Sequence, residues 1–161
     1  MNNLENKGFY DIEKSLGYTF KDKTLLKSAL THLSYYEGVT DKIDKTSERL
    51  EYLGDAVLGL LVKEFLFFEF KDRDEGGLTL ISSYLLSDKN LADWSRELSL
   101  NEFILLGRGE EKQHGREKVS ILAHTFEALI AAIYLDGGFE PVRDLLSSKF
   151  LKREYISDIL G

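Results

Sequence analysis

Apolar residues recur along this chain at intervals of three and four, and no stretch alternates apolar with polar positions for long. That period predicts an all-α fold. Leu25, Leu26, Ala29 and Leu30 make the apolar stripe of a helix through "KTLLKSALTH", with Asp22 placed to cap its start. Residues 36–46 are polar, contain Gly38 and read as a loop. A long helix follows from about Glu48 to Phe70, capped by Thr46 or Ser47, with Leu50, Leu53, Val57 and Leu61 facing the core. "KDRDEGG" breaks it. The pattern then predicts a helix through "LTLISSYLL", a second through "DKNLADWSRELS" capped by Ser87, and a short apolar turn, "EFILL". "GRGEEKQHGREK" is charged and punctuated by glycine, as in an exposed loop. "VSILAHTFEALIAAIYL" is apolar on most faces, so it should be the buried central helix, stopped by "DGG". Pro141 suits the first turn of a final helix.

With 161 residues and no internal repeat, the expected organisation is one compact helical domain over residues 1–161. The chain has no cysteine, which excludes disulfides and thiolate metal sites and fits a cytoplasmic setting. "MNNLENKGFYDIEK" lacks the apolar core of a signal peptide. The most apolar run, "AVLGLLVKEFLFFEF", carries Lys63, Glu64 and Glu69, so no membrane partner is expected. The same run, through Phe65, Leu66, Phe67 and Phe68, is apolar nearly all round. With Tyr35 and Tyr36 it predicts a homodimer, because one small globule has difficulty burying every face. The net charge of −7 argues mildly against a nucleic-acid partner, but it counts carboxylates that a bound metal would neutralise.

The long helix poses a question. Glu48, Glu51 and Asp55 fall on one face at the helical turn of roughly 100° per residue, and that face continues into Gly59 and Val62. Such a trio is ordinarily a solvated stripe. On the central helix, however, His124 and Glu127 share a face with Ala128 and Ala131, and small residues allow two helices to approach closely. If the two faces meet, the four carboxylates and the imidazole converge, and the carboxylates cannot all ionise without a cation among them. A hard divalent ion held by oxygen ligands is the economical solution. Di-iron bundles use Glu-x-x-His on paired helices, whereas here the order is reversed and occurs once. A helical nucleotide pyrophosphohydrolase would need a second helix bearing paired acids. His32, in "LTHLSYY", reads as a hydrogen-bonding structural residue, and His114 lies in the charged loop.

"ERLEYLGDAVLG" closely resembles the signature of the ribonuclease III family. "LGYTFKDKTLLKSALTHLSY" is similar to that family's opening helices, "DEGGLT" to its mid-domain turn, and "LLGRGEEKQHGREKVSIL" to its charged loop. "FEALIAAIYLDGGFEPVRDLL" resembles the second catalytic helix and its exit, and the five segments run in the family's order from Leu16 to Leu146. The resemblance implies an all-helical endonuclease domain of the ribonuclease III type, a homodimer that cuts double-stranded RNA and leaves staggered ends. It implies RNA processing, with 5′-phosphate and 3′-hydroxyl products and no small-molecule cofactor. It implies Asp55 and Glu127 as catalytic residues, Glu51, Asp55 and Glu127 as metal ligands, and Glu48 and Glu75 as supporting acids. Mg²⁺ or Mn²⁺ would then activate water and stabilise the leaving 3′ oxygen, with no Ser, Cys or His nucleophile required.

His124 stands where the family usually has aspartate, in a segment of the form A-D-x-F-E-A. Its place in the metal set matters, since imidazole suits Mn²⁺ better than Mg²⁺. Leu80 and Ser82 occupy positions where relatives commonly carry basic residues. Phosphate contacts are therefore expected from Arg108, Lys112, Arg116 and Lys118, although interleaved glutamates also suit a mixed solvated loop. No double-stranded-RNA-binding module is expected in this chain. The alternative to the nuclease is a catalytically weakened domain that binds structured RNA or a protein partner.

Overall fold

The computed structural model describes residues 3–41 and 45–160, and their regular structure is entirely helical apart from one isolated parallel bridge between Thr31 and Leu105. Helix α1 (Asn3–Leu16) is not foreshadowed by the apolar pattern. It holds through Ile12 and Leu16 in the core and through the buried Glu13. Glu13 accepts the Phe20 N–H at 2.7 Å and pairs with Lys23. Helix α2 (Lys23–Ala29) begins as expected, with the Asp22 carboxylate accepting the Thr24 N–H at 2.9 Å. It ends sooner than predicted, because Thr31 bridges to Leu105 and residues 33–36 wind into a 3₁₀ turn.

Helix α3 (Glu48–Glu69) spans the predicted long helix. Its start differs in mechanism. Ser47 occupies the cap position with helical dihedrals and makes no side-chain cap bond, and its N–H donates instead to the Thr31 carbonyl at 2.9 Å. Helix α4 (Glu75–Leu85) begins three residues earlier than expected. Asp74 caps it by accepting the Gly77 N–H at 2.8 Å, so both glycines lie inside its first turn. Helix α5 (Asp88–Glu97) starts at Ser87, whose hydroxyl accepts the Asn90 N–H at 3.3 Å.

The charged segment is more ordered than its composition suggests. It forms α6 (Arg108–Lys112) and a 3₁₀ turn at Gly115–Glu117, with Gly115 buried. Helix α7 (Val119–Gly137) is the central element. Leu122, Phe126, Leu129 and Ile133 are fully buried, and α3, α5, α2 and α8 pack around it. By length and composition alone α7 is apolar enough to cross a membrane, but here it is the core of a globule. Gly138, at φ 82°, ends it in a conformation other residues rarely adopt. Helix α8 (Phe139–Lys149) carries Pro141 in its first turn and is not the last, since α9 (Arg153–Leu160) follows. At that end Trp94 of α5 stacks on Phe150, with ring centroids 4.7 Å apart, and both lean on Phe126 of α7.

Two further contacts position the site. Asp136, near the end of α7, accepts the Tyr18 hydroxyl at 2.6 Å and the backbone N–H groups of Lys21 and Asp22, tying the α1–α2 junction to the central helix. Gly54 of α3 lies directly against the Glu127 backbone of α7, where a Cβ would overlap the Glu127 carbonyl oxygen. The two acid-bearing helices therefore approach as closely as their backbones allow.

Candidate metal centre

The close packing of α3 on α7 brings Glu51, His124 and Glu127 together. One ligand atom from each lies within 4.8 Å of the other two, and all three residues are half-buried. His124 Nδ1 is 3.6 Å from Glu51 Oε1, and the imidazole is 43% exposed. It is thus not a buried core histidine.

Asp55, one turn beyond Glu51, is exposed and stands outside that inner trio, but its charge reaches both glutamates. Burial, then Asp55, Glu51 and Asp88, push the Glu127 carboxyl up to about 7. Burial also raises Glu51. The His124 ring opposes that rise, while Glu48, Asp88 and Asp55 reinforce it. The rest of the acid face, Glu48 and Asp55, therefore acts on the cleft through its field. Asp88 at the start of α5 was not anticipated. It lies on neither acid-bearing helix, and the one local signal was the Ser87 cap that fixes where α5 begins. An inner trio of two oxygen ligands and one imidazole, set among further carboxylates, fits a divalent cation.

Glu75 sits elsewhere in this arrangement. It is exposed in the first turn of α4, accepts the Thr79 hydroxyl at 3.2 Å and lines a groove with Lys63, Phe67 and Ser82. Of the four basic residues in the charged segment, Arg108 and Lys112 are exposed. Arg116 pairs with Glu111 and donates to the Asn101 carbonyl at 2.9 Å, and Lys118 pairs with Glu110. Those two brace α6 against the body of the domain. Leu80 is exposed on α4, whereas Ser82 is buried and donates to the Thr79 carbonyl at 3.0 Å.

Residues 22–154 match the model of a family described as ribonuclease-III-like. The chain belongs to this family. Two of the five resembling segments, "ERLEYLGDAVLG" and "FEALIAAIYLDGGFEPVRDLL", carry the acids of α3 and α7. Among curated relatives, the protein named Ribonuclease 3 from Caldanaerobacter subterraneus subsp. tengcongensis is 44% identical over 92% of this chain and 64% of its own length. The Ribonuclease 3 of Campylobacter fetus is 46% identical over 86% of this chain and 61% of its own. The chain thus spans a little under two thirds of these relatives. A crystal structure of the nuclease domain of ribonuclease III from Campylobacter jejuni superposes with a TM-score of 0.79 at 41% identity, covering 94% of this chain and 99% of that one. A second structure of that domain, described for flexibility in a region involved in dimer formation, has the same TM-score at 43% identity and covers 86% and 92%. The all-α ribonuclease III fold is therefore shown. Within it, His124 of α7 gives this member an imidazole beside its two inner carboxylates.

Proposed function

We propose that this chain is the nuclease module of a divalent-metal-dependent endoribonuclease that hydrolyses double-stranded RNA during RNA processing. It leaves staggered ends bearing 5′-phosphate and 3′-hydroxyl. The observation that carries this reading is the convergence of Glu51, Glu127 and His124 where α3 meets α7, within the field of Asp55, Glu48 and Asp88. Burying like charges in one cleft is costly unless a cation joins them.

Glu51, Glu127 and His124 would hold the metal, with Asp55 closing the outer side. Mg²⁺ is the family's expected ion, and the imidazole favours Mn²⁺. Such an ion supplies Lewis acidity toward water and the scissile phosphate. Glu127 must give up its proton as the cation binds, so metal affinity rises with pH toward about 7. Arg108 and Lys112, exposed on α6, are the cations of the charged segment best placed for phosphates. Glu75, outside the inner trio, supports the site only at a distance. His124 also favours a second reading, a weakened domain that binds structured RNA without efficient cleavage.

The working form is a cytoplasmic homodimer. Tyr52, on the exposed face of α3, is 85% exposed. Beside it lies a groove of about 680 Å³ lined by Leu25, Leu50, Leu53 and Leu135. A projecting aromatic next to an apolar groove is the self-complementary patch that a twofold interface requires. The run Phe65–Phe68 contributes less than its composition suggests: Leu66 is buried in the core, Phe65 is half-buried, and Phe67 and Phe68 remain outside. A duplex RNA incubated with the chain and Mn²⁺, beside a single strand of the same sequence, tests the reading. Staggered products with 5′-phosphates from the duplex alone are expected. Equal cleavage of both, or 3′-phosphate ends, would refute it.

A further inference from the structure

His32 stands outside the inner trio and caps the 3₁₀ turn that joins α2 to the loop before α3. Its Nδ1 accepts the Ser34 backbone N–H at 3.2 Å and lies 2.8 Å from Ser34 Oγ. Ser34 Oγ in turn accepts the Gly107 N–H at 2.9 Å, which leaves its own proton free to point at Nδ1. A proton on Nδ1 would meet those donors head-on. The ring is therefore neutral, with its proton on Nε2. Burial acts in the same direction, holding the imidazole below its ordinary pKa against the opposing pull of Glu110 and Glu48.

The backbone beneath the ring is equally fixed. The His32 N–H donates to the Leu105 carbonyl at 3.0 Å, and the Leu105 N–H donates to Leu30 at 2.8 Å. Gly107 is clamped against Ser34, where a Cβ would overlap the Ser34 carbonyl oxygen. Nε2 has no hydrogen-bond partner among the described residues. The half-buried ring lines a groove of about 380 Å³ with Ser34, Glu37, Glu110 and Gln113. The Thr31 carbonyl beside His32 accepts the Ser47 N–H at 2.9 Å, which sets His32 next to the start of α3, about one turn before Glu51, and Glu48 and His124 both act on the ring electrostatically.

An oriented, neutral donor beside two acids is poorly suited to phosphate. Glu37 and Glu110 repel anions, and Lys118 is already paired with Glu110. A hydroxyl fits better, since it can accept from Nε2–H and donate to a carboxylate or to the Gln113 amide. We propose that His32 reads a ribose 2′-hydroxyl of the strand lying beside the metal centre, and so helps the domain distinguish RNA from DNA. This rests on the duplex-RNA function proposed above. It makes His32 a specificity residue and gives it no part in bond cleavage.

Two substitutions separate the halves of the ring. In His32→Asn the side-chain oxygen can take the place of Nδ1 and keep the Ser34 cap, but nothing reaches the groove. In His32→Gln the amide nitrogen reaches the position of Nε2. Both are placed in a Glu127→Gln background, and binding is followed in Mg²⁺ by fluorescence anisotropy. The probes are an all-ribose duplex and matched duplexes with 2′-deoxy nucleotides at successive single positions. The Glu127→Gln parent should lose about fivefold in affinity at one or more positions, the scale of one neutral hydrogen bond. His32→Asn should melt as the parent does, bind the all-ribose duplex as weakly as the parent binds the sensitive deoxy duplex, and ignore the substitution. His32→Gln should recover part of the discrimination. An Asn variant that still discriminates overturns the proposal, as does one that melts lower and loses affinity for every duplex equally. If the parent binds duplex RNA but no single deoxy position matters, this inference alone falls. If the parent binds no duplex RNA, the proposed function falls with it.

Discussion

Glu127 carries an unusual load for a half-buried side chain, because its carboxyl is pushed up to about 7 by burial, Asp55, Glu51 and Asp88. In the unfolded chain it would titrate near 4.5. Between those values the folded protein holds a proton that the unfolded chain releases, so stability must fall as pH rises from about 4.5 to about 7. The metal-free protein should therefore melt higher at pH 5 than at pH 8 through this group, by an amount on the order of 1–3 kcal/mol. Glu127→Gln should flatten that slope, and Mn²⁺ should raise the melting temperature far more at pH 8 than at pH 5. Calorimetry in chelator and in Mn²⁺ checks all three. His124 supplies a second prediction. Its ring is 43% exposed beside Glu51, so His124→Asp should fold normally and shift metal preference from Mn²⁺ toward Mg²⁺. Isothermal titration with each ion reads the shift, and unchanged preference would remove His124 from the metal set. At this scale the inner trio was legible, because helical spacing alone puts His124 and Glu127 on one face and the acid stripe on another. Asp88 was not, since no local pattern says where the start of α5 will arrive.

Helices α3 and α7 can approach this closely because Gly54 has no side chain at the Glu127 backbone. Gly54→Ala should force them apart, costing about 3 kcal/mol and lowering the melting temperature by roughly 6–12 °C. Metal affinity should fall with it, because Glu51 and Glu127 would separate. Gly59 on the same helix has open space around its Cβ position, so Gly59→Ala should instead stabilise by about 0.5–1 kcal/mol. Opposite signs from one helix distinguish a packing effect from helix propensity in a single melting experiment. The elements legible in the sequence are those marked by the apolar period or by a starting proline: α2, α3, α4, α5, α7 and α8. Helix α1 escaped because Glu13, read as polar, is buried against Phe20 and Lys23. Helix α6 escaped because its order comes from the Arg116–Glu111 and Lys118–Glu110 pairs, which look in sequence like any mixed charged loop. The start of α3 is set by a backbone bond to Thr31, a partner too distant in the chain for any capping rule to name.

For the whole molecule, part of the net charge of −7 lies in the candidate metal centre, where a bound cation would offset it. Tyr52 and the adjoining apolar groove give the molecule a face suited to a second copy. Tyr52→Ala should weaken self-association by about 2 kcal/mol or more, as the loss of a central aromatic anchor does. Light scattering across a concentration series reads this, with a dimer mass at micromolar concentration expected for the unaltered chain. A monomer mass there would contradict the homodimer. The proposed nuclease is built by α3 and α7 together and depends on a metal. Its most direct test is cleavage of a plain RNA duplex by the unaltered chain and by Glu127→Gln, each in chelator, Mg²⁺ and Mn²⁺. Expected are no cleavage in chelator, cleavage in Mn²⁺ exceeding that in Mg²⁺, and a loss of at least about a hundredfold in Glu127→Gln with either ion, the upper end of what losing an outer-shell partner alone costs. Cleavage that persists in chelator, or that survives Glu127→Gln undiminished, would contradict it.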